Sequence, residues 1–414
     1  MTHDGDTSVD ANATAASRAA WSVSESARLT AFARGSRHSD GFGYLSEDGR
    51  IDPERPVETW ITGRMTYVFA LASLLGEARA GELVDHGLAA LSYALRDDEC
   101  GGWFHSTRRE DRKEAYDHAF VVLAAATAMA AGRPGAEHLL GEALACIDAH
   151  FWDAGSGLSV DVWDRRWTTL EDYRGANANM HLVEAFLAAS DATGDDRWRL
   201  RALGIAERLI HGAARANHWR LPEHYDPDWR MLPNYNVDIP DHPFRPYGAT
   251  VGHWLEWSRL LIHLHVGLPD PPTWLLDDAE MLFRQSVAEG WAVDGEDGFV
   301  YTVNWDGRPV VRQRMHWVVA EAIGSAAVLS RCAGGTVYAE WSERWWAYAE
   351  AFMLDSVRGS WHHQLDESNR PTSTVWSGKP DVYHAYQACI LTRAPLAASV
   401  ASAALALRAD VEGA

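Results

Sequence analysis

Two helical stretches followed by a short aromatic segment recur along this chain, and that repeat constrains the fold more than any other feature. Helical apolar spacing marks "AAWSVSESARLTAFARGS", "VETWITGRMTYVFALASLLG", "GELVDHGLAALSYAL", "AYDHAFVVLAAATAMAAG" and "AEHLLGEALACIDAHFW" in the first half. The second half adds "ANANMHLVEAFLAASDATG", "DRWRLRALGIAERLIHGAAR", "VGHWLEWSRLLIHLH", "PTWLLDDAEMLFRQSVAEG", "RMHWVVAEAIGSAAVLSRC" and "TVYAEWSERWWAYAEAFML". A last helix opens in "DVYHAYQACILTRAP" and is predicted to run unbroken to Ala406, which makes twelve.

Between alternate helices lie "CGGWFHSTRRED", "GSGLSVDVWDRRWT", "ANHWRLPEHYDPDW", "EDGFVYTVNWDGRP" and "GSWHHQLDESNRP", all with the turn chemistry of small hairpins. Six stacked helical hairpins with no polar cap at either end predict closure into a ring, an all-α (α/α)6 barrel with short β-hairpin loops. Residues 1–17, acidic, small and polar, are expected to be a disordered tail, and residues 18–414 a single catalytic domain. In such a ring the pocket forms at the mouth, where loops meet inner-helix ends.

Composition removes several function classes. The net charge of -21, from 58 acidic against 37 basic residues without a basic cluster, argues against nucleic acid as a partner. No apolar run approaches the about 20 residues that cross a bilayer, and no export signal is visible, so neither a membrane nor a leader is expected and the predicted location is cytoplasmic. Cys100, Cys146, Cys332 and Cys389 are scattered, unlike a disulfide framework or a thiolate metal site. Tryptophan is abundant, 20 residues against 13 Tyr and 11 Phe, and its flat rings suit sugar faces as well as cores.

Polar or titratable residues recur on the candidate inner helices: Arg64 in "TGRMTYVFA", Asn177 and His181 in "RGANANMHLVEA", His253 and Glu256 in "VGHWLEW", His316 and Glu321 in "RMHWVVAEA", and His384 in "KPDVYHAYQA". Burial penalises charge in such runs unless something is gained. His253 and Glu256 share one helix face and could offer two metal ligands, but they equally make a carboxylate-oriented base, and the metal-free reading is favoured. Glu256 with Glu321 or Asp381 could form a glycosidase pair, though histidines dominate the candidate positions. Histidine suits proton transfer near neutral pH. No Gly-x-Ser-x-Gly nucleophile and no phosphate-cradling glycine loop occurs.

The ordered set "ANANMHLVEAFLAASDATGD", "GHWLEWSRLL", "RMHWVVAEA" and "KPDVYHAYQA" resembles the N-acylglucosamine 2-epimerase superfamily over nearly the whole chain after its N-terminal tail. "RMTYVFA" and "YGATVGHWLEW" look closest to its aldose–ketose isomerases, the branch that holds mannose and sulfoquinovose isomerases. The resemblance implies a barrel needing no metal or nucleotide, and a pocket built from Arg64, Tyr116, Asn177, His181, Arg245, His253, Glu256, Glu321, Asp381 and His384. It implies His384 as the base on carbon and His253 as the opposed acid/base that opens the pyranose. Glu256 would set the tautomer of His253, Arg64 and His181 would donate to enediolate oxygens, and Asn177, Tyr116 and Trp317 would hold hydroxyls and the ring face.

The expected reaction interconverts D-mannose and D-fructose, or D-lyxose and D-xylulose, through a cis-enediol. Two histidines serve a sugar 2-epimerase of the N-acylglucosamine or cellobiose type equally well. A sulfoquinovose isomerase would want a further cation, for which Arg245 is the candidate. A sugar- or protein-binding module is the non-enzymatic rival. The chain is expected to be a monomer or a homodimer.

Overall fold

The structure, a computed structural model, describes residues 6–412, with side chains from 16 to 409. Of the expected tail, residues 1–5 lie outside the described residues, and from Asp6 the backbone is helical as the start of α1 (Asp6–Ala33). Inner and outer helices then alternate: α2 (Thr59–Leu74) and α3 (Ala80–Ser92), α4 (Ala115–Ala130) and α5 (Ala136–Cys146), α6 (Ala176–Thr193) and α7 (Asp196–Ala206). They continue as α8 (Val251–Gly267) and α9 (Trp274–Gly290), α10 (His316–Cys332) and α11 (Thr336–Tyr348), and α12 (Tyr383–Arg393) and α13 (Val400–Glu412).

The even-numbered helices from α2 to α12 form the inner ring, each touching the next, and α12 closes against α2. Apolar residues cover them on all sides, as a surrounded helix requires; α2 buries every residue except Ser73. Contact is close enough that a Cβ on Gly63 would stand 2.7 Å from the Cβ of Phe120. Helices α3, α5, α7, α9 and α11 pack outside their preceding partners, and α1 packs outside α12. The fold is the (α/α)6 barrel of the sequence reading.

One expectation fails. The last predicted helix is two helices, α12 and α13, because Pro395 pushes Ala394 out of the helical region to φ -78°, ψ 149°. That break lets α13 turn under the ring and touch α2, α6 and α12. The connecting segment closes the floor of the barrel, with His263 Nδ1 2.7 Å from the carbonyl of Ala397.

At the other end, four two-residue strand pairs tie successive repeats together. Lys113–Glu114 pairs with Val162–Trp163, Arg174–Gly175 with His224–Tyr225, Ala249–Thr250 with Thr302–Val303, and Arg314–Met315 with Gln364–Leu365. In each, the first strand immediately precedes an inner helix, so the pairs pin the N-termini of α4, α6, α8 and α10. Each second strand also folds back as the expected hairpin, through a turn in which Asp164, Asp226, Asn304 or Asp366 accepts from the amide four residues on. The left-handed position is filled by Trp167, Trp229, Gly307 and Asn369 respectively.

Candidate active site

The mouth of the ring holds a cavity of about 680 Å³. Apart from Tyr301, His363 and Trp376, which come from loops, its polar side chains come from the first two turns of the inner helices or the residues just before them, so six helix N-termini, each carrying partial positive charge, converge on it. Arg64, Tyr116, Asn177, His181, His253, Glu256, His316, Trp317, Asp381 and His384 all line it, ten of the twelve residues singled out in the sequence. Glu321 stands behind His384. Arg245 lies elsewhere.

Two histidines are held by carboxylates. His384 Nδ1 is 2.8 Å from Glu321 Oε1, and His253 Nδ1 is 3.0 Å from Glu223 Oε1. A ring that donates from Nδ1 to a carboxylate leaves its Nε2 lone pair available, which is the arrangement of a base. Burial, reinforced by the charge of Arg64, holds His384 well below the ordinary imidazole value, so the ring is neutral at pH 7. The indole of Trp317 neighbours both rings, with centroids 5.3 Å from His253 and 5.6 Å from His384.

Glu256 does not orient His253 as the sequence suggested. One turn further into the helix, it points down the barrel axis towards His181 Nδ1, 3.7 Å away, and Arg259 Nη2, 3.8 Å away. Arg259 is the hub of this layer. Its Nε donates to Glu321 at 2.8 Å and its Nη1 to Glu184 at 3.3 Å, while the Tyr383 hydroxyl also donates to Glu184. Burial, then the neighbouring Glu321 charge, raise the Glu256 carboxyl well above the usual range.

Two sets of candidate metal ligands share this layer, His181 with Glu184 and Glu256, and Glu256 with Glu321 and His384. The Arg259 guanidinium already lies against all three carboxyl groups and supplies the positive charge an ion would bring. A third set, His105, Glu114 and Asp117, sits apart, with Arg112 Nε 2.9 Å from Glu114.

Arg64 is the one Lys or Arg lining the cavity among the described residues, and it is not free. Nη1 meets Asp381 Oδ2 at 3.2 Å and Nη2 donates to the Tyr116 hydroxyl at 2.9 Å. Burial opposes ionisation of Asp381, but the Arg64 guanidinium outweighs it and the carboxyl is held below its ordinary value. A cavity whose single cation is already paired suits an uncharged polar ligand better than an anion. Trp60, Phe244, Trp317 and Trp376 supply aromatic faces around it.

Arg245 lies in a neighbouring outer cleft of about 1550 Å³, not in the inner cavity. Glu171 grips it with two 2.8 Å contacts and Tyr173 stacks beneath it, 3.9 Å from the ring centroid. The loop before α8 carries Phe244 and Pro246 into the cavity instead. Sequence reasoning missed Glu223, Arg259, His363 and Phe244. Arg259 had a visible signal, a charge three residues after Glu256 in an apolar run; Glu223 had none, lying 30 residues before His253 in a loop.

The geometry agrees with kinship. Residues 41–388 match the family model described as N-acylglucosamine 2-epimerase (GlcNAc 2-epimerase). The chain is 54% identical over 395 residues to a D-mannose isomerase of Thermobifida fusca, covering 94% of this chain and 97% of the relative. It is 45% identical to a D-mannose isomerase of Pseudomonas cannabina pv. alisalensis, covering 92% and 94%. Among solved structures, a D-mannose isomerase crystal structure superposes with a TM-score of 0.84 at 28% identity, covering 90% of this chain and 97% of the other.

Proposed function

The chain belongs to the N-acylglucosamine 2-epimerase family, and from that membership we propose that it interconverts D-mannose and D-fructose without a metal, by histidine-mediated proton transfer through a cis-enediol. It is an isomerase, and its likeness to D-mannose isomerases supports mannose as the substrate. The ring as a whole acts as one catalytic unit, because every inner helix contributes to the cavity.

The observation that carries the chemistry is the pair of carboxylate-held imidazoles, His384–Glu321 and His253–Glu223, in one cavity beside Trp317. Aldose–ketose exchange removes a proton from the carbon beside a carbonyl and returns it to the neighbouring carbon. Neutral His384 Nε2 takes the C2 proton; the C2–H electrons form the C1–C2 double bond, and the carbonyl electrons move to O1, which is protonated. The O2 hydroxyl then gives up its proton, C2–O2 becomes the ketone, and His384 returns a proton to C1. His253 serves the oxygens, opening the pyranose and moving protons between O1 and O2. Arg64 and His181 donate to the developing enediolate, where preorganised donors are worth several kcal/mol.

The paired state of Arg64 and the capture of Arg245 by Glu171 favour an uncharged hexose over a sulfosugar. Arg259 among the buried carboxylates supports a metal-independent reaction. The test uses chelator-treated protein with D-mannose in heavy water, followed by proton and carbon NMR. Fructose carrying deuterium is the expected product. Glucose without fructose would make the chain a 2-epimerase, and full dependence on added metal would overturn the metal-free chemistry.

A further inference from the structure

Five histidines line the cavity, and three of them, His181, His253 and His384, differ in what meets Nδ1. His253 and His384 each place Nδ1 against a carboxylate. His181 does not: among the described residues its buried Nδ1 has no hydrogen-bond partner, and the polar atom opposite is Glu256 Oε1, equally buried and equally without a partner, 3.7 Å away. Two orphaned buried atoms facing each other are costly unless a proton lies between them.

The charge count says which of the two brings that proton. Glu184, Glu256 and Glu321 are all buried around the single cation Arg259. Glu321 receives donors from Arg259 and His384, and Glu184 receives them from Arg259 and Tyr383. Among the described residues Glu256 receives none within hydrogen-bond distance, the nearest cationic donor being Arg259 Nη2, 3.8 Å away and itself without a partner, so an ionised Glu256 would be the one buried carboxylate of the three with no hydrogen bond. His181, buried and facing Arg64, is itself held in the neutral form.

We propose that Glu256 works as its neutral acid, its O–H turned toward His181 Nδ1, 3.7 Å away, and fixing the imidazole tautomer that presents Nε2–H to the cavity. The proposal deepens the isomerase reading above and rests on it for its kinetic arm. His253 and His384, set by carboxylate acceptors, offer lone pairs; His181, set by a neutral acid, offers a donor to the oxygen on which negative charge develops. Glu256 is thus a positioning residue. At alkaline pH it loses its proton, accepts from Nδ1–H, and leaves His181 with a lone pair where the donor stood. The groups that face Glu256 are Arg64 from α2, Tyr116 from α4, His181 and Glu184 from α6, Arg259 from its own helix, Glu321 from α10 and Tyr383 from α12.

Two measurements test this. With ¹⁵N-histidine-labelled protein, and His181→Asn for assignment, His181 should show Nε2–H at pH 7 and shift to Nδ1–H as the pH rises; Nδ1–H at pH 7 overturns the proposal. In mannose turnover, Glu256→Gln, whose amide can donate but cannot ionise, should keep kcat within about tenfold of the parent and lose the alkaline limb, while Glu256→Leu should lose about 10²-fold. An inactive Glu256→Gln that folds normally, or one that keeps the parent's alkaline limb, also overturns it. If the parent converts no mannose but His181 carries Nε2–H, the isomerase reading fails and the tautomer assignment stands.

Discussion

His384 Nδ1 lies 2.8 Å from Glu321 Oε1, and the other oxygen of that carboxylate takes a 2.8 Å hydrogen bond from Arg259 Nε. The carboxylate is therefore held from both sides, and it holds the imidazole with Nε2 turned away from it. His384→Ala should lower kcat about 10²- to 10⁴-fold. Glu321→Gln should also fall sharply, because the amide can present its N–H to Nδ1 and stabilise the wrong tautomer. Circular dichroism of the folded variants separates lost chemistry from lost structure. Full turnover by either variant would remove the pair from the mechanism.

Glu223, not Glu256, is expected to govern His253. Glu223→Gln should cost about 10- to 100-fold in kcat, the range for losing a histidine's orienting carboxylate. The effect should be visible in sugar-ring opening as well as isomerisation, measured by comparing cyclic mannose with an open-chain analogue. Equal loss on both substrates would remove His253 from the ring-opening step.

These two dyads show what the sequence could and could not reveal. His253, Glu256, Glu321 and His384 stood out because helical periodicity made polar residues in apolar runs conspicuous. The ring could be read because each repeat announces its own turn. Partnerships were not legible: Glu223 reaches His253 only because the Arg174–Gly175 and His224–Tyr225 strands hold their loop beside the α8 N-terminus. Arg245 misled for the same reason in reverse, since its partner Glu171 comes from 74 positions away. The break at Pro395 was written in the sequence; the apolar pattern on both sides concealed it.

The acid limb of kcat/KM should lie below pH 6.5. His384 must be neutral to accept a proton, and burial together with Arg64 lowers its affinity for one, so protonation of the free enzyme's base requires more acid than for a free imidazole. The measurement is the pH profile at mannose concentrations well below KM. A limb at or above 6.5 would mean that the titrating base is not His384.

Arg259→Leu should destabilise the protein by about 3–5 kcal/mol, the cost of stranding buried charges by removing one partner. Glu184 and Glu321 would then face one another without the cation that bridges them, and the depressed midpoint in a denaturant titration reads the loss. Arg259→Lys should recover part of it, because an ammonium is a point charge that cannot span Glu321 and Glu184 as the fork does. A Leu variant as stable as the parent would mean that these carboxyls are already neutral.

Gly252→Ala separates packing from chemistry. A methyl group there would stand 2.4 Å from Trp317 Cζ3, 2.5 Å from Cη2 and 2.7 Å from Val318 Cγ2. Alanine is the better helix former by about 1 kcal/mol, while overpacking of this kind costs about 1–3 kcal/mol, so stability should change little or fall modestly. Activity should fall further, by about 10²-fold, because the indole that must yield lies against both His253 and His384, and small misplacements of reacting groups are that costly. Thermal melting and kcat measured on the same preparation decide the matter. Unchanged turnover would mean that the glycine serves helix packing alone; a large loss with an intact melt would identify Trp317 as the spacer that keeps the two imidazoles in register.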